Sequence, residues 1–184
     1  MKKILPPQVI TACTTHALYD AYFYVFNAGM NDFTSPLEEL LSTLESALLR
    51  DVGDEGVEDA ASASPAPSGG IDEKSVLLGN KLLVYISCCL AGRAYPMGDI
   101  PEHLIGKVKD DIFHFLVTPR RASKRGRSPV DEDDDDDADR YPYVRTFLLF
   151  DTREFLNVLT FAFEEPEFTL PRRQAIVDIL LKGK

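Results

Sequence analysis

The sequence lacks a hydrophobic run long enough to cross a membrane. Its longest apolar stretch, residues 82–92, follows Lys81 and is about half of the ~20 residues that a transmembrane helix needs. The chain also lacks the uninterrupted apolar segment of a secretion signal, because Pro6 and Pro7 break the short one near the amino terminus. We therefore expect neither direct membrane insertion nor export.

Cysteine is scarce, and its count of three is odd. Cys88 and Cys89 are neighbours within an apolar run, where thiols usually pack as small hydrophobic groups, and Cys13 stands alone. This pattern does not predict a disulfide framework. It favours a protein that works in a reducing, cytoplasmic compartment.

Basic residues are outnumbered, with 20 Lys and Arg against 30 Asp and Glu and a formal net charge of −10. Eight of the acids lie in one run at residues 131–139, so the rest of the chain is nearly neutral. The dense basic cluster at residues 120–127 falls in an apparent linker. Because nucleic-acid binding needs clustered positive charge on an ordered face, we do not expect a nucleic-acid partner.

Two segments lack the apolar residues that a core requires. Residues 51–70 are rich in Asp, Glu, Ala, Ser, Pro and Gly, and residues 119–140 join the basic cluster to the acidic run. Neither can bury enough apolar surface to offset its ordering entropy, so both are predicted to be disordered loops. Three apolar blocks remain, at about 1–50, 71–118 and 141–184, and we expect the whole chain, 1–184, to form a single helical segment.

These blocks contain helical periodicity. In the first block, Ser35 and Glu38 have the spacing of a capping box, which predicts a helix start. Leucines then recur at positions 37, 40, 41, 44 and 48, so this helix is predicted to be half buried. Before it, residues 18–26 are apolar on nearly every side, with a stop signal at 27–29, which predicts a helix inside the protein.

The second block repeats this arrangement, with a helix apolar all round at 77–90 and an amphipathic helix that Asp99 and Glu102 are expected to cap. In the third block, Pro142, Asp151 and Pro171 are predicted to open three shorter helices. Seven or eight helices without a strand pattern predict an all-α fold. A buried helix followed by an amphipathic partner favours antiparallel pairs stacked as an α-solenoid over a closed bundle, although no residue-level repeat is present.

No familiar motif for chemistry is present: the chain has no phosphate-binding glycine loop, no serine elbow and no His-Glu-x-x-His. Cys13 and His16 have the spacing of half a zinc site, but structural zinc needs four ligands and no matching pair follows. The paired cysteines lie in an apolar segment that predicts burial rather than a reactive thiol. We therefore predict no enzyme, no catalytic or metal-binding residue and no cofactor.

Two serines in the second loop have the surroundings that protein kinases recognise. Ser123 follows two arginines at the spacing of basophilic kinase sites, and Ser128 precedes a proline. Phosphorylation would place negative charge in the basic cluster and weaken any contact between that cluster and the acidic run. Ser123 and Ser128 are therefore candidate phosphorylation sites, and the alternative interpretation is that such short motifs arise by chance in a disordered basic segment.

Three parts of the chain carry a resemblance to a known family: residues 18–27 with Ser35–Leu41, residues Gly79–Pro101, and residues Tyr141–Arg145 with Phe150–Leu159. In this order they resemble the central region of the vacuolar protein sorting "eight" family, a subunit of the CORVET endosomal tethering complex. The resemblance covers nearly all of the chain outside the two loops.

This resemblance implies a fold and a role. Family members are similar in having an amino-terminal β-propeller, a long coat-like helical solenoid and a carboxy-terminal RING-type zinc module, and this chain matches only the solenoid. The implied location is cytoplasmic and peripheral, on endosome or vacuole membranes, in transport to the vacuole or lysosome. The implied partners are the other tethering subunits, with their class C core, and an early-endosomal Rab GTPase that the parent protein engages, its contact not placed in this segment.

A second class of function stays open at this point. A self-contained helical adaptor would bind a peptide or an amphipathic helix in a groove, with the loops as switches. A stacked solenoid segment is expected to expose apolar side chains on its terminal helices, near Val9 and Ile10 or Ile176 and Ile179, whereas a closed adaptor would cover them.

Overall fold

Helices make up the regular structure of the part of the chain that is described. The computed structural model describes residues 7–52, 71–119, 141–164 and 168–182. The helices are α1 (Pro7–Thr15), α2 (Tyr19–Met30), α3 (Ser35–Val52), α4 (Glu73–Leu90), α5 (Glu102–Val117), α6 (Pro142–Glu164) and α7 (Leu170–Lys182). An isolated β-bridge pairs Arg93 with Asp99 in the α4–α5 connection. The all-α prediction is confirmed for these residues.

The predicted loops at 51–70 and 119–140 lie almost entirely outside the described residues. At their edges, α3 continues through Val52, and Pro119 follows α5 without being helical. The expected start of the first loop at Asp51 is therefore two residues early. Leu48 is the last buried position of α3, and the helical hydrogen-bond ladder continues for about one further turn beyond it.

The predicted start of α3 is confirmed, but a different side chain caps it. The Oδ1 atom of Asp32 accepts hydrogen bonds from the N–H groups of Thr34 (3.2 Å) and Ser35 (3.0 Å). Asp32 therefore caps α3 in place of the expected pair, Ser35 and Glu38. Glu38 instead accepts a hydrogen bond from the Tyr143 hydroxyl of α6 at 3.2 Å, so its carboxylate connects two helices.

The end of α2 lies beyond the stop expected at 27–29. The helix continues to Met30 and ends at Asn31, whose φ of 52° places it in the left-handed region. Asparagine adopts this conformation more readily than most residues, which makes it a common helix terminator. Asn27 does not end the helix because its side chain is buried and hydrogen-bonded inside the protein.

Two further helix boundaries differ in how well the sequence predicts them. α5 begins after Pro101 without a side-chain cap, so the expected caps Asp99 and Glu102 are not used. In α6, Asp151 has non-helical backbone angles, and its Oδ1 accepts a hydrogen bond from the N–H of Glu154 at 3.0 Å. The predicted break between two helices at this position is confirmed.

α4 lies at the centre of the arrangement and contacts α2, α3, α5 and α6. Its contacts with α2 advance in the same direction along both helices. Asp20 meets Lys81, and three residues later Phe23 stacks on Tyr85 with ring centroids 3.9 Å apart. α2 and α4 are therefore parallel neighbours.

α6 runs parallel to α4 on the opposite side. Gly79 meets the ring of Phe150, and further along Leu90 and Ala162 line the same cavity. α3 and α5 return in the other direction, because the short connections at 31–34 and 91–101 join them to the ends of α2 and α4. Antiparallel helix pairs set side by side are the layout of an α-solenoid, so the predicted fold is confirmed.

The core forms where the apolar stripes of these helices meet. All five leucines of the predicted α3 stripe are buried, as are Val108 and Ile112 of α5. Complete burial of the two all-apolar helices is a wrong prediction. Tyr24 of α2 is 47% exposed, and Leu77 and Val84 of α4 are 44% and 48% exposed, because no helix of the described chain lies across these positions.

The ends of the stack expose apolar side chains, but not all of those expected. Val9 of α1 is exposed, as expected, whereas Ile10 is partly buried against the core. Ile176 and Ile179 are buried, so the prediction for α7 is wrong at these positions. The exposed apolar residues of α7 are Leu170, Val177 and Leu181, because the helix turns the isoleucines towards the core.

Candidate protein-contact surface

A buried polar network fixes α2 against α4 and the two connections that follow them. Asn27 is only 5% exposed, and its Nδ2 donates to the backbone oxygen of Tyr95 at 3.1 Å. The Tyr85 hydroxyl lies 3.0 Å from Oδ1 of Asn27 and 2.8 Å from the backbone oxygen of Phe33. Burial raises the pKa of Tyr85, so its hydroxyl keeps the proton that it donates. These hydrogen bonds hold four separate segments in one geometry.

An ion pair closes the same boundary at the surface. The Nζ atom of Lys81 lies 2.8 Å from both carboxylate oxygens of Asp20, and the Tyr95 hydroxyl donates to Asp20 at 2.5 Å. Partial burial alone would raise the pKa of Asp20, but the hydrogen bonds from Lys81 and Tyr95 outweigh it and lower the pKa. Because the two charges neutralise each other, this boundary adds no net charge to the surface.

Apart from Glu73 and Lys74 in the first turn of α4 and the paired Asp20 and Lys81 at the boundary, the exposed sides of α2 and α4 carry no charged residue. On a helix with about 100° per residue, Lys81 and Tyr85 turn towards α2, and Gly79 and Leu90 turn towards α6. The exposed strip of α4 lies between these two directions, and the exposed strip of α2 is on the same side of the stack. We call the two strips together the neutral face: Ala21, Tyr24 and Ala28 of α2 with Leu77, Asn80 and Val84 of α4 and Ala91, which directly follows α4.

The other side of the stack, where α3 and α5 lie, has a different composition. α3 exposes Glu38, Glu39, Ser42, Ser46 and Arg50, and α5 exposes Glu102, His103, Lys107, Asp110 and His114. The main apolar exception is Leu49, near the end of α3. A charged side is typical of a helix that faces only water, whereas a contiguous apolar strip indicates a surface that binds another protein.

A cleft opens at one end of the neutral face, between the end of α2 and the α4–α5 connection. Its volume is about 490 Å³, within the ~300–1,000 Å³ range of ligand-binding clefts. Tyr24 and Ala28 belong to both the cleft and the neutral face. The lining consists of Tyr24, Asn27, Ala28, Asn31, Phe33, Ala94, Tyr95, Met97, Gly98, Asp99 and Pro101.

The walls of this cleft are mostly apolar, and one carboxylate lies at the edge. Phe33 and Tyr95 are buried at its base, whereas Tyr24 is half exposed and Met97 is 68% exposed. Asp99 is exposed and is the one charged side chain in the described lining. A cleft with apolar walls and a single charge is better suited to binding a side chain of a partner protein than to catalysing a reaction.

A second, smaller cavity of about 300 Å³ lies between the ends of α4 and α6. Apolar residues such as Leu90 and Val158 line it, together with one side chain of each charge, Arg93 and Glu164. Opposite charges in one small cavity give no preference for a charged ligand. This cavity therefore does not define a site.

The cysteines and the histidine that had the spacing of chemical sites differ in how far they are buried. Cys13 is buried in α1 while His16 is exposed beyond it. Cys88 is half buried, and burial raises the pKa of the Cys89 thiol to about 12. Among the described residues, no group of three or more His, Cys, Asp and Glu could hold a metal ion.

Two exposed carboxylates of α3 make contacts with other helices. The adjacent carboxylates Glu38 and Glu39 accept hydrogen bonds from the hydroxyls of Tyr143 and Tyr22, so both connect α3 to other helices. The candidate phosphorylation sites Ser123 and Ser128 lie outside the described residues. None of the described helices has the length and hydropathy to span a membrane.

Sequence reasoning missed both the neutral face and the cleft. The signal for the face was present, since residues 76–91 contain a single charged residue, Lys81, but a helix apolar on all sides predicts burial in the core. The cleft had no local signal, because its lining comes from residues 24–33 and 94–101, which only the fold brings together.

Stacked antiparallel helices are the architecture of a helical-repeat protein. The chain belongs to the Vps8 family, since the family described as "Vps8 central TPR" matches residues 7–163. The human Vacuolar protein sorting-associated protein 8 homolog is 45% identical over 179 residues, the mouse one 44% and the Drosophila melanogaster one 35%.

These relatives are much longer than the chain. Each alignment covers 95% of this chain but only 11% or 12% of the relative. The chain thus corresponds to about a tenth of the length of the relatives that it matches. No solved structure matches it at a significant level.

Proposed function

We propose that the chain, over residues 1–184, is one scaffold segment of a CORVET-type tethering subunit that acts in transport to the vacuole or lysosome. It works on the cytoplasmic side, peripherally on endosome or vacuole membranes, and catalyses no reaction. Membership of a family whose relatives are named for vacuolar protein sorting supports this role. The observation that carries it is the neutral face, because a strip of uncharged, solvent-exposed side chains on two adjacent helices is what a binding partner would cover.

The mechanism depends on the fixed arrangement of α2 and α4, the two helices that carry the neutral face. The buried bonds of Asn27 and the Asp20–Lys81 pair fix α2 against α4, so the neutral face keeps one shape whether or not a partner is bound. A preformed surface loses little conformational entropy on binding. The partner would be another tethering subunit, and the class C core is the first to test.

The experiment is chemical cross-linking of the tagged chain to the class C core subunits followed by co-purification, because cross-linking also retains a weak contact. Leu77→Glu, in the neutral face, is expected to reduce the recovered complex at least tenfold, because it places a charge where the partner buries an aliphatic side chain. Leu49→Glu is the matched control: it is the same substitution at a residue that is 55% exposed on the charged side. It is expected to leave recovery unchanged.

Two results contradict the proposal. One is failure of the folded wild-type chain to capture any tethering subunit. The other is equal loss of capture by Leu77→Glu and Leu49→Glu, which would show that charge in general, rather than the neutral face, matters. The Rab GTPase belongs in this scheme to the parent protein, and no surface of this segment is assigned to it.

The cleft favours a second candidate, the helical adaptor that binds a peptide in a groove. The exposed apolar residues Leu170, Val177 and Leu181 of α7 support the stacked segment instead, because a closed adaptor would cover its last helix. A solenoid segment that also holds a peptide accounts for both observations.

A further inference from the structure

The cleft beside Tyr24 is preformed by bonds that do not involve a ligand. Asn27 holds the backbone of Tyr95 in place, and the N–H of Ala94 donates to the oxygen of Gly98 at 3.3 Å. The loop that forms one wall therefore has a defined conformation in the unbound chain. A partner needs only to fill the space, since it need not first order this wall.

Apolar contacts are available on three sides of that space. Phe33 and Tyr95 close the base, and Met97 and Tyr24 extend along the opening with large exposed fractions. Gly98 has nothing within 4 Å of the position where a Cβ would be, so the loop leaves the opening clear there. An aliphatic or aromatic side chain can enter and bury apolar surface on every side.

The charged side chain in the described lining is negative, while Arg93, which pairs with Asp99 in the β-bridge, lines the other cavity. Asp99 lines the cleft and is exposed, and the carboxylates of Asp32 and Glu102 directly follow the lining residues Asn31 and Pro101 in sequence. The nearby cation of the next helix turn is neutralised, because Lys107 pairs with Asp111 at 2.8 Å. The opening attracts a positively charged group and repels phosphate.

We infer that this cleft binds a short segment of a partner protein in which an aliphatic or aromatic residue stands next to a lysine or arginine. The apolar side chain fills the cleft between Tyr24, Met97 and Phe33. The cation of the neighbouring residue pairs with Asp99 at the edge. This inference extends the proposed contact function. The cleft shares Tyr24 and Ala28 with the neutral face, but Met97 and Asp99 belong only to the cleft and Leu77 only to the face, so variants at these residues let the two fail independently.

A library of random short peptides displayed on phage, selected on the 184-residue chain, provides the probe. Enriched sequences are expected to share an apolar residue beside Lys or Arg. The corresponding synthetic peptides, labelled with a fluorophore, are then titrated by fluorescence anisotropy. Asp99→Lys and Met97→Glu are each expected to raise Kd at least tenfold, which corresponds to about 1.4 kcal/mol.

Asp178→Lys is the matched control, because Asp178 is an exposed carboxylate on α7, away from the cleft, and accepts a hydrogen bond from Gln174 at the surface. It is expected to leave Kd within about twofold, as a distant exposed charge is screened by salt. A peptide whose basic residue is replaced by Glu should bind Asp99→Lys better than it binds the wild-type chain. Far-UV circular dichroism of each variant checks that the fold is retained.

Several outcomes overturn the inference: no enrichment over an unrelated protein, enrichment of acidic peptides, or equal losses with Asp99→Lys and Asp178→Lys. Leu77→Glu separates this inference from the proposed function. If it abolishes subunit capture and leaves peptide binding intact, both stand. Peptide binding without subunit capture removes only the proposed tethering role, and capture without peptide binding removes only the cleft.

Discussion

Replacement of Gly79 by alanine tests the close approach of α4 and α6. In an isolated helix, alanine in place of glycine stabilises by about 1 kcal/mol. At Gly79, however, the added Cβ would overlap three atoms of the Phe150 ring. Overpacking of this kind costs about 1–3 kcal/mol. We therefore expect Gly79→Ala to lower the free energy of unfolding by about 1 kcal/mol, which corresponds to a fall in Tm of about 2–4 °C for a chain of this size.

Two other variants isolate the cause. Gly106→Ala, on the exposed side of α5, has nothing within 4 Å of the new Cβ and should raise stability by up to about 1 kcal/mol. In a Phe150→Leu background the overlap at Gly79 is relieved, so Gly79→Ala should become neutral or stabilising there, with a coupling of about 1–3 kcal/mol. Urea unfolding followed by far-UV circular dichroism measures the wild type, the three single variants and the double variant. Equal effects of Gly79→Ala in the two backgrounds would refute the packing argument.

Two further predictions concern the boundary between α2 and α4. Tyr85→Phe removes the hydroxyl that contacts Asn27 and leaves buried acceptors without that donor, so it should destabilise by about 1–3 kcal/mol in urea unfolding, and an unchanged midpoint would contradict this. Asp20 has a lowered pKa in the folded chain, so its pairing with Lys81 contributes stability at neutral pH that is lost as the pH falls below about 4. Asp20→Asn should flatten that part of the pH dependence, and an unchanged profile would argue against the pairing.

Local periodicity was sufficient to predict much of the fold. The five leucines of α3 recur at helical spacing and are all buried, and the break at Asp151 followed from its position before Glu154. The capping of α3 by Asp32 was missed because Ser35 and Glu38 offer a better-known pattern a few residues later. Such competition between nearby polar residues is settled by the path of the backbone, which local sequence does not determine.

The contact surface could not be predicted from sequence for a physical reason. Asn27 lies 58 residues before Tyr85 and 68 before Tyr95 in the chain, so no local pattern shows that it shares hydrogen bonds with both. Likewise, the apolar pattern of α4 is the same whether its outer strip is covered by the core or by a partner. The phosphorylation of Ser123 and Ser128 stays a prediction.

The size of the neutral face limits what this segment can do alone. Full burial of an aliphatic side chain contributes about 1.5–3 kcal/mol, and Leu77 and Val84 are each about half exposed, so a partner gains about 1 kcal/mol from each. With Tyr24 added, the sum is a few kcal/mol before the cost of association, which on its own gives only weak binding. The chain corresponds to about a tenth of the length of its relatives, however, and linked contacts elsewhere in a long subunit can raise overall affinity by ~10²–10⁴. Under the proposed function, this segment therefore contributes one weak contact among several, and its loss should loosen the assembly rather than abolish it.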